Sequence, residues 1–179
     1  LFNLLDKDDV VITGNGSACV ITFQAAKIKQ GQRLYTNSGS ASMGYDLPAS
    51  IGAAIAKKGK RIICLAGDGS LMMNLQELQT MQGYNLPIKV FILNNEGYVS
   101  IKQTQEAYFS DNISGVGPKS GVSMPNFIEL GKALNIPNIK VTKLSQLSSS
   151  KFLKMLNDNK SGIFEIIIDP NQGFSPKLT

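Results

Sequence analysis

The sequence predicts an α/β domain with a doubly wound, mostly parallel sheet and helices on both faces. Two observations support this class. Short apolar runs rich in β-branched residues recur along the chain, and stretches with helical spacing of apolar residues separate them. Parallel strands need long crossover connections, and right-handed crossovers through helices cover both faces of a sheet. With 179 residues, 42% of them hydrophobic, the chain can bury one core, and we expect a single domain over 1–179.

The predicted strands are apolar runs that end in turn-forming residues. Val-Val-Ile-Thr precedes Gly-Asn-Gly, Ile-Ile-Cys-Leu-Ala precedes Gly-Asp-Gly, and Val-Phe-Ile-Leu precedes Asn-Asn. Continuous apolar runs are typical of strands buried on both faces. The strands are predicted at 10–13, 61–66, 88–93, 139–142 and 163–168.

Helices are predicted between these strands, where apolar residues recur at intervals of three and four. A serine run, 148–150, lies inside or just before the last of them. The segment 106–124 is rich in Gly and Ser and contains Pro118, which predicts a long loop of the kind that is commonly functional. The helices are predicted at 17–29, 47–57, 71–83, 126–134 and 145–157.

Composition argues against several classes of function. The formal charge is +5, but the lysines are scattered, so we expect no nucleic-acid partner. No apolar run is long enough to span a bilayer, so we expect no membrane association and a cytoplasmic location. Histidine is absent, which excludes a Ser-His or Cys-His nucleophile within this chain. Cys19 and Cys64 lie in apolar stretches and are expected to be reduced, buried thiols.

The turn Gly-Asp-Gly-Ser at 67–70 follows a predicted strand and precedes a predicted helix. Glycines allow close approach of the backbone to an anion, and a helix start offers free N–H groups to a phosphate. Asp68 would repel a diphosphate unless a divalent cation lay between them, and magnesium accepts few protein oxygens together with phosphate oxygens. By itself this motif could equally be a turn in which Asp68 caps the helix.

A second ligand is predicted at the end of the next strand. Asn95 follows the run 88–93, one strand-helix-strand unit after Asp68, and neighbouring parallel strands end at the same sheet edge. The amide oxygen of Asn95 and the main-chain carbonyl of Gly97 would complete the protein share of the site. Two unrelated turns would have no reason to occur at the spacing that a shared cation requires, so the pair at Asp68 and Asn95 favours a metal site over two separate turns.

The turn after the first strand, 14–19, looks like a dinucleotide-binding motif without its last glycine. Such a match is weak alone, and no acidic residue stands at 33–36 to hold a ribose, where only Arg33 is charged. The turn by itself therefore does not predict a dinucleotide site.

The paired motifs resemble those of the thiamine-diphosphate-dependent enzymes. Gly-Asp-Gly followed by Asn-Asn is that family's signature, and the stretch 37–56, NSGSASMGYDLPASIGAAIA, resembles the acetolactate synthase-like branch. The resemblance covers essentially the whole chain and implies the diphosphate-binding domain of a longer enzyme, with thiamine diphosphate and Mg²⁺ as cofactors. It leaves room for FAD in a domain outside this chain.

The resemblance implies specific roles for residues of this chain. The metal would be held by Asp68, Asn95 and Gly97. Met43 would force the bent conformation that brings the aminopyrimidine near the thiazolium carbon, and Ala41 would face the pyrimidine ring. The complete set of residues expected to bind cofactor is Asn15, Gly16, Ser17, Ala41, Ser42, Met43, Gly67, Asp68, Gly69, Ser70, Asn95, Gly97 and Tyr98.

The resemblance also implies a partner and limits the reaction. The family's catalytic glutamate belongs to a pyrimidine-binding domain of another subunit, so we expect a homodimer or tetramer and no activity from this chain alone. The substrate class would be 2-keto acids, through decarboxylation and carboligation. Thr104 replaces the tryptophan of acetolactate synthases, and Ile101 replaces the glutamate of pyruvate decarboxylases. The alternative is a non-enzymatic, magnesium-dependent module that binds a nucleotide or another diphosphate.

Overall fold

The computed structural model describes residues 1–174 and contains a six-stranded sheet in which every neighbouring pair is parallel. The strand order is β2-β1-β3-β4-β6-β5. The strands are β1 (Val10–Thr13), β2 (Arg33–Thr36), β3 (Ile62–Gly67), β4 (Ile88–Asn94), β5 (Asn138–Val141) and β6 (Gly162–Ile167). The predicted fold class is therefore confirmed, with a sheet that is parallel throughout.

Helices cover both faces of this sheet. They are α1 (Gly16–Ala25), α2 (Asp46–Ala56), α3 (Asp68–Leu71), α4 (Glu77–Gly83), α5 (Val99–Tyr108), α6 (Phe127–Ala133) and α7 (Ser150–Asn157). Short 3₁₀ turns lie at Phe2–Leu4, Met72–Asn74, Pro118–Ser120 and Leu144–Ser148. No helix among residues 1–174 has both the length and the apolar character needed to cross a bilayer.

Two hydrophobic cores sandwich the sheet. Residues from α2, α4 and α6, including Leu47, Met81 and Phe127, pack on the face that carries Cys64 and Val90. The opposite face is covered by α1 and α7, where Phe91, Phe152 and Phe164 form an aromatic cluster with ring centroids 4.6 to 6.2 Å apart. Burial on both faces explains why the strands are continuous apolar runs.

The amino-terminal edge of the sheet is tied together by charged groups. Arg61 bonds the carboxylates of Asp6 and Asp9 and the main-chain oxygen of Leu156. Lys89, whose side chain is fully buried, donates to Asp158 and to the main-chain oxygen of Lys160. These bonds brace the end of the sheet opposite to the predicted site.

Several predicted boundaries are wrong. The first helix ends at Ala25, and the stretch 71–83 is interrupted by the 3₁₀ turn Met72–Asn74. Residues 144–148 form a 3₁₀ turn, and the last helix begins at Ser150, with Ser149 as its N-cap. The first part of the predicted loop 106–124 belongs to α5.

One strand and one ten-residue helix were not predicted at all. The edge strand β2 is half-exposed and reads Arg-Leu-Tyr-Thr, so it lacks the continuous apolar pattern of the central strands. In α5 only Val99 is buried, which leaves too weak an apolar periodicity to indicate a helix. Cys64 is buried as expected, but Cys19 is partly exposed and its sulfur lies 3.3 Å from the hydroxyl of Thr36.

Candidate functional site

A pocket opens at the carboxyl edge of the sheet, where β1, β3 and β4 end side by side. This is the edge at which open parallel sheets bind ligands. Its lining combines the turns that follow these three strands with Met43 and the start of α5. The lining residues are Asn15, Gly16, Ser17, Met43, Gly67, Asp68, Gly69, Ser70, Asn95, Gly97, Tyr98, Val99, Ser100 and Ile101.

Three oxygen atoms converge in this pocket. The side-chain oxygen of Asn95 lies 3.3 Å from Oδ1 of Asp68 and 3.0 Å from the main-chain oxygen of Gly97. The amide nitrogen of Asn95 points the other way and donates to Oγ of Ser17 at 3.4 Å. Turning the amide by 180° would instead place its nitrogen between the two acceptors. With the amide oxygen of Asn95 facing the two acceptors, no donor lies between it and either of them, and a cation bound among these oxygens would stabilise this orientation.

The separations fit magnesium. Adjacent ligands of an octahedral ion with metal–oxygen distances of about 2.1 Å lie about 3 Å apart. The donor set of one carboxylate, one amide and one carbonyl is the oxygen-only set that Mg²⁺ prefers. No group of three or more His, Cys, Asp or Glu side chains able to hold a metal occurs in the part of the chain that the structure describes. Asp68, Asn95 and Gly97 therefore offer a hard-cation site that leaves further positions for phosphate oxygens.

The Asp68 carboxylate is buried, with 1% of its surface exposed. Its Oδ1 accepts from the N–H of Gly69 at 2.8 Å, and its Oδ2 accepts from the N–H of Gly97 at 3.0 Å. Burial raises the pKa of Asp68 to about 6, and these main-chain bonds oppose the rise. A buried carboxylate whose partners are neutral N–H groups is stabilised in its charged form by a bound cation.

The turn after β1 faces the same pocket. Helix α1 begins at Gly16, whose φ of +57° lies in the left-handed region that favours glycine. Asn15, Gly16 and Ser17 all line the pocket, so the start of α1, where main-chain N–H groups lack partners within the helix, lies at the pocket. Thr36, at the end of β2, donates to the main-chain oxygen of Gly14 at 3.0 Å and ties this turn to the neighbouring strand.

The ring of Tyr98 packs directly against the backbone of Gly69. A Cβ on Gly69 would lie 2.3 Å from Cε1 of the Tyr98 ring, so a side chain there is incompatible with this ring position. The N–H of Tyr98 donates to the main-chain oxygen of Val116 at 2.8 Å, which ties the start of α5 to the loop after it. The ring thus closes one side of the pocket.

Of the remaining predicted residues, Gly67, Met43 and Ser70 line the pocket, whereas Ala41 and Ser42 do not. The latter two are exposed, and Ala41 has a φ of +47°, a conformation that is uncommon outside glycine. The structure therefore does not bring them into the group with Asp68, Asn95 and Gly97. Their predicted contact with the pyrimidine end of a cofactor would lie outside the pocket.

Sequence reasoning missed part of the pocket wall. Val99, Ser100 and Ile101 line it because α5 begins immediately after the turn that carries Asn95 and Gly97. The position of Asn95 at a strand end could have indicated that the next residues also lie at this edge. Asp46 was also missed: it is fully buried behind the pocket and accepts a bond from Ser70.

A family model matches most of the chain. Residues 14–166 match the model described as thiamine pyrophosphate enzyme, C-terminal TPP binding domain. The chain is 41% identical over 155 residues to the acetolactate synthase large subunit of Cyanidium caldarium, covering 87% of this chain and 26% of that protein. It is 30% identical over 182 residues to acetolactate synthase 2, chloroplastic, of Zea mays, covering 99% of this chain and 28% of that protein.

Solved structures show the same fold. Benzoylformate decarboxylase from Polynucleobacter necessarius superposes with a TM-score of 0.81 at 22% identity, over 96% of this chain and 32% of that one. A thiamine diphosphate-dependent 4-hydroxybenzoylformate decarboxylase of Rhodococcus jostii RHA1 gives a TM-score of 0.80 at 18% identity, over 94% and 31%. The chain thus spans about a quarter to a third of the length of these proteins.

Proposed function

The chain belongs to the thiamine pyrophosphate enzymes as their C-terminal TPP binding domain, of the acetolactate synthase-like kind, and from this premise we propose that it holds thiamine diphosphate through Mg²⁺ at Asp68, Asn95 and Gly97. The observation that carries the proposal is that the side-chain oxygen of Asn95 lies 3.3 Å from Oδ1 of Asp68 and 3.0 Å from the main-chain oxygen of Gly97, beside two glycine-rich turns. A diphosphate would supply the remaining oxygen ligands of the cation. It would also accept hydrogen bonds from main-chain N–H groups at the starts of α1 and α3.

Each turn has a separate task in this proposal. The main-chain N–H groups of Gly16 and Ser17 would contact the diphosphate from the start of α1, and that of Ser70 from α3, since the N–H of Gly69 already donates to Oδ1 of Asp68. Met43 supports the cofactor between its two ends. When bound, the cofactor supplies the nucleophilic carbon that decarboxylation and carboligation of a 2-keto acid require.

The pocket wall formed by α5 supports an apolar acceptor region. Ile101 lines the pocket and is 45% exposed. Its aliphatic side chain would therefore contact a 2-keto acid bound to the cofactor. Val99 lines the same wall, and Thr104 is exposed one helical turn after Ser100, to whose main-chain oxygen it donates. The ionisable side chains that line the pocket are Asp68, a proposed metal ligand, and Tyr98, and we propose that proton transfer to substrate uses groups from outside this chain.

A second protein surface is part of the proposal. The pocket is open to solvent and its cavity volume is about 60 Å³, so a thiamine diphosphate held at the oxygen cluster would extend beyond it. The rest of the cofactor would lie against a pyrimidine-binding domain, which we propose belongs to another subunit of a homodimer or tetramer. Val20 and Phe23, 37% and 53% exposed on one side of α1, provide apolar surface for such an interface.

Titration calorimetry tests the proposal. The chain is titrated with thiamine diphosphate, ADP and NAD, each with and without Mg²⁺. Binding of thiamine diphosphate that depends on Mg²⁺ and exceeds that of the nucleotides supports the assignment. A preference for ADP or NAD would overturn it in favour of a nucleotide-binding module.

A further inference from the structure

Asp46 is a buried carboxylate at the start of α2 that the proposed function does not use. None of its surface is exposed. Its Oδ1 accepts from the N–H of Leu47 at 2.9 Å, and its Oδ2 accepts from the hydroxyl of Ser70 at 3.0 Å. The same Oδ2 packs on Gly14, where a Cβ would lie only 2.2 Å away. Asp46 therefore joins the start of α2 to the turns after β1 and β3.

Ser70 has a fixed hydrogen-bonding direction in this arrangement. Its hydroxyl donates to Asp46, and its oxygen accepts from the N–H of Gly44 at 2.9 Å. A carboxylate can only accept, so the hydroxyl proton of Ser70 points inward, away from the pocket. Only the main-chain N–H of Ser70 is then left to serve a diphosphate.

Gly44 is held from both sides. Its N–H is bound by Ser70, and its main-chain oxygen accepts from the amide of Asn74 at 2.8 Å. Gly44 has a φ of +77°, and an added Cβ would lie 2.7 Å from Cβ of Met73. This turn therefore packs closely on the segment after α3. The residue before it is Met43, which lines the pocket.

We propose that Asp46 is a positioning residue that acts through Ser70 and Gly44 to fix Met43 relative to the diphosphate-binding turn. This inference rests on the proposed function, because it assigns the two linked turns to two ends of one cofactor. The carboxylate is needed because it must accept from two donors at once, the Leu47 N–H and the Ser70 hydroxyl. An amide at position 46 would offer one acceptor only.

The two turns can be probed separately with two ligands. Inorganic diphosphate with Mg²⁺ engages only the turns at 14–17 and 67–70 and the metal ligands. Thiamine diphosphate with Mg²⁺ also engages the Met43 turn. Affinities of the 179-residue chain for both ligands are measured by calorimetry for the unmodified sequence and for Asp46→Asn.

We expect Asp46→Asn to weaken thiamine diphosphate binding about tenfold and to change inorganic diphosphate binding less than about twofold. Ser50→Ala is the matched control, because Ser50 is buried and donates at 2.8 Å to the main-chain oxygen of Asp46 without joining the chain to Gly44. That variant should bind both ligands as the unmodified sequence does.

Asn74→Ala tests the same coupling from the other side of Gly44 if Asp46→Asn lowers the melting temperature too far for titration. It should reproduce the selective loss of thiamine diphosphate affinity. Equal losses for both ligands, or no loss for either, would overturn the positioning role. If the unmodified chain does not bind inorganic diphosphate with Mg²⁺, for which all proposed ligands lie in this chain, the proposed function itself is wrong, and the inference is overturned with it.

Discussion

The side-chain oxygen of Asn95 and Oδ1 of Asp68 lie 3.3 Å apart, at the ends of two adjacent parallel strands. Two oxygens at this distance repel each other unless a proton or a cation lies between them. The main-chain oxygen of Gly97, 3.0 Å from the same Asn95 atom, adds a third acceptor. The arrangement is the basis for expecting a magnesium ion here.

Replacing Asp68 with alanine should lower the Mg²⁺-dependent affinity for thiamine diphosphate at least about 100-fold. Asp68 is the charged member of the three proposed ligands of the cation. The fold should persist, since the buried carboxylate carries a desolvation cost that alanine removes. Calorimetry measures the first effect and circular dichroism the second. Asp111→Ala, an exposed acidic residue of the loop after α5, is the control. Normal cofactor binding by Asp68→Ala would refute the ligand set.

Substitutions of the adjacent Asn94 and Asn95 should have different effects, one on the stability of the fold and the other on cofactor binding. Asn95→Ala should weaken Mg²⁺-dependent cofactor binding with little change in unfolding. Asn94→Ala should instead cost about 1–3 kcal/mol in the free energy of unfolding, because its amide donates at 2.7 Å to the buried carboxylate of Glu165. Urea unfolding and calorimetry on both variants check this. The opposite assignment of effects would show that Asn94 is the ligand.

The stability of the metal-free chain should depend on the ionisation of Asp46. Burial raises the pKa of Asp46 from 3.8 to about 6, and the bonds from Ser70 and Leu47 oppose the rise. Because the folded state holds the proton more tightly, the stabilisation is fully present below pH 3.8 and is lost as the pH rises through about 6. The neighbouring thiol of Cys64 has a pKa raised by burial and stays protonated throughout this range.

The difference between the unmodified chain and Asp46→Asn isolates this contribution. Between pH 4 and pH 7 the free energy of unfolding of the unmodified chain should fall relative to the variant, by at most about 3 kcal/mol. Urea titrations at several pH values without added metal measure the difference. A constant difference across the range would mean that Asp46 does not titrate there.

Two glycine-to-alanine changes should act in opposite directions. At Gly14 a Cβ would lie 2.2 Å from Oδ2 of the fully buried Asp46, so Gly14→Ala should destabilise the chain by about 1–3 kcal/mol. Gly52 is exposed within α2 and a Cβ there meets nothing within 4 Å, so Gly52→Ala should stabilise by about 0.5–1 kcal/mol. Denaturant unfolding checks both signs. Equal tolerance at the two positions would contradict the close packing of Asp46 on Gly14.

The central part of the fold could be predicted from the sequence because its signals are strong and local. The strand 10–13 is placed as the structure has it, and the other four predicted strands lie within one residue at each end. The edge strand Arg33–Thr36 and the helix Val99–Tyr108 bury too little apolar surface to leave a periodic pattern. The break at Met72–Asn74 follows from contacts of Asn74 and Met73 with Gly44, which lies far away along the chain.

The site divides in the same way. The sequence by itself determined the family, the parallel α/β class and the residues Asp68 and Asn95. Strand ends and glycine turns are recognisable from short stretches of sequence, and in a parallel sheet the carboxyl ends of neighbouring strands lie at one edge. Only the tertiary structure decided that Ala41 and Ser42 lie outside the pocket and that Ile101 lines it. It alone also placed Asp46 behind the pocket, because whether a carboxylate is buried against a serine and a glycine depends on how three separate turns pack.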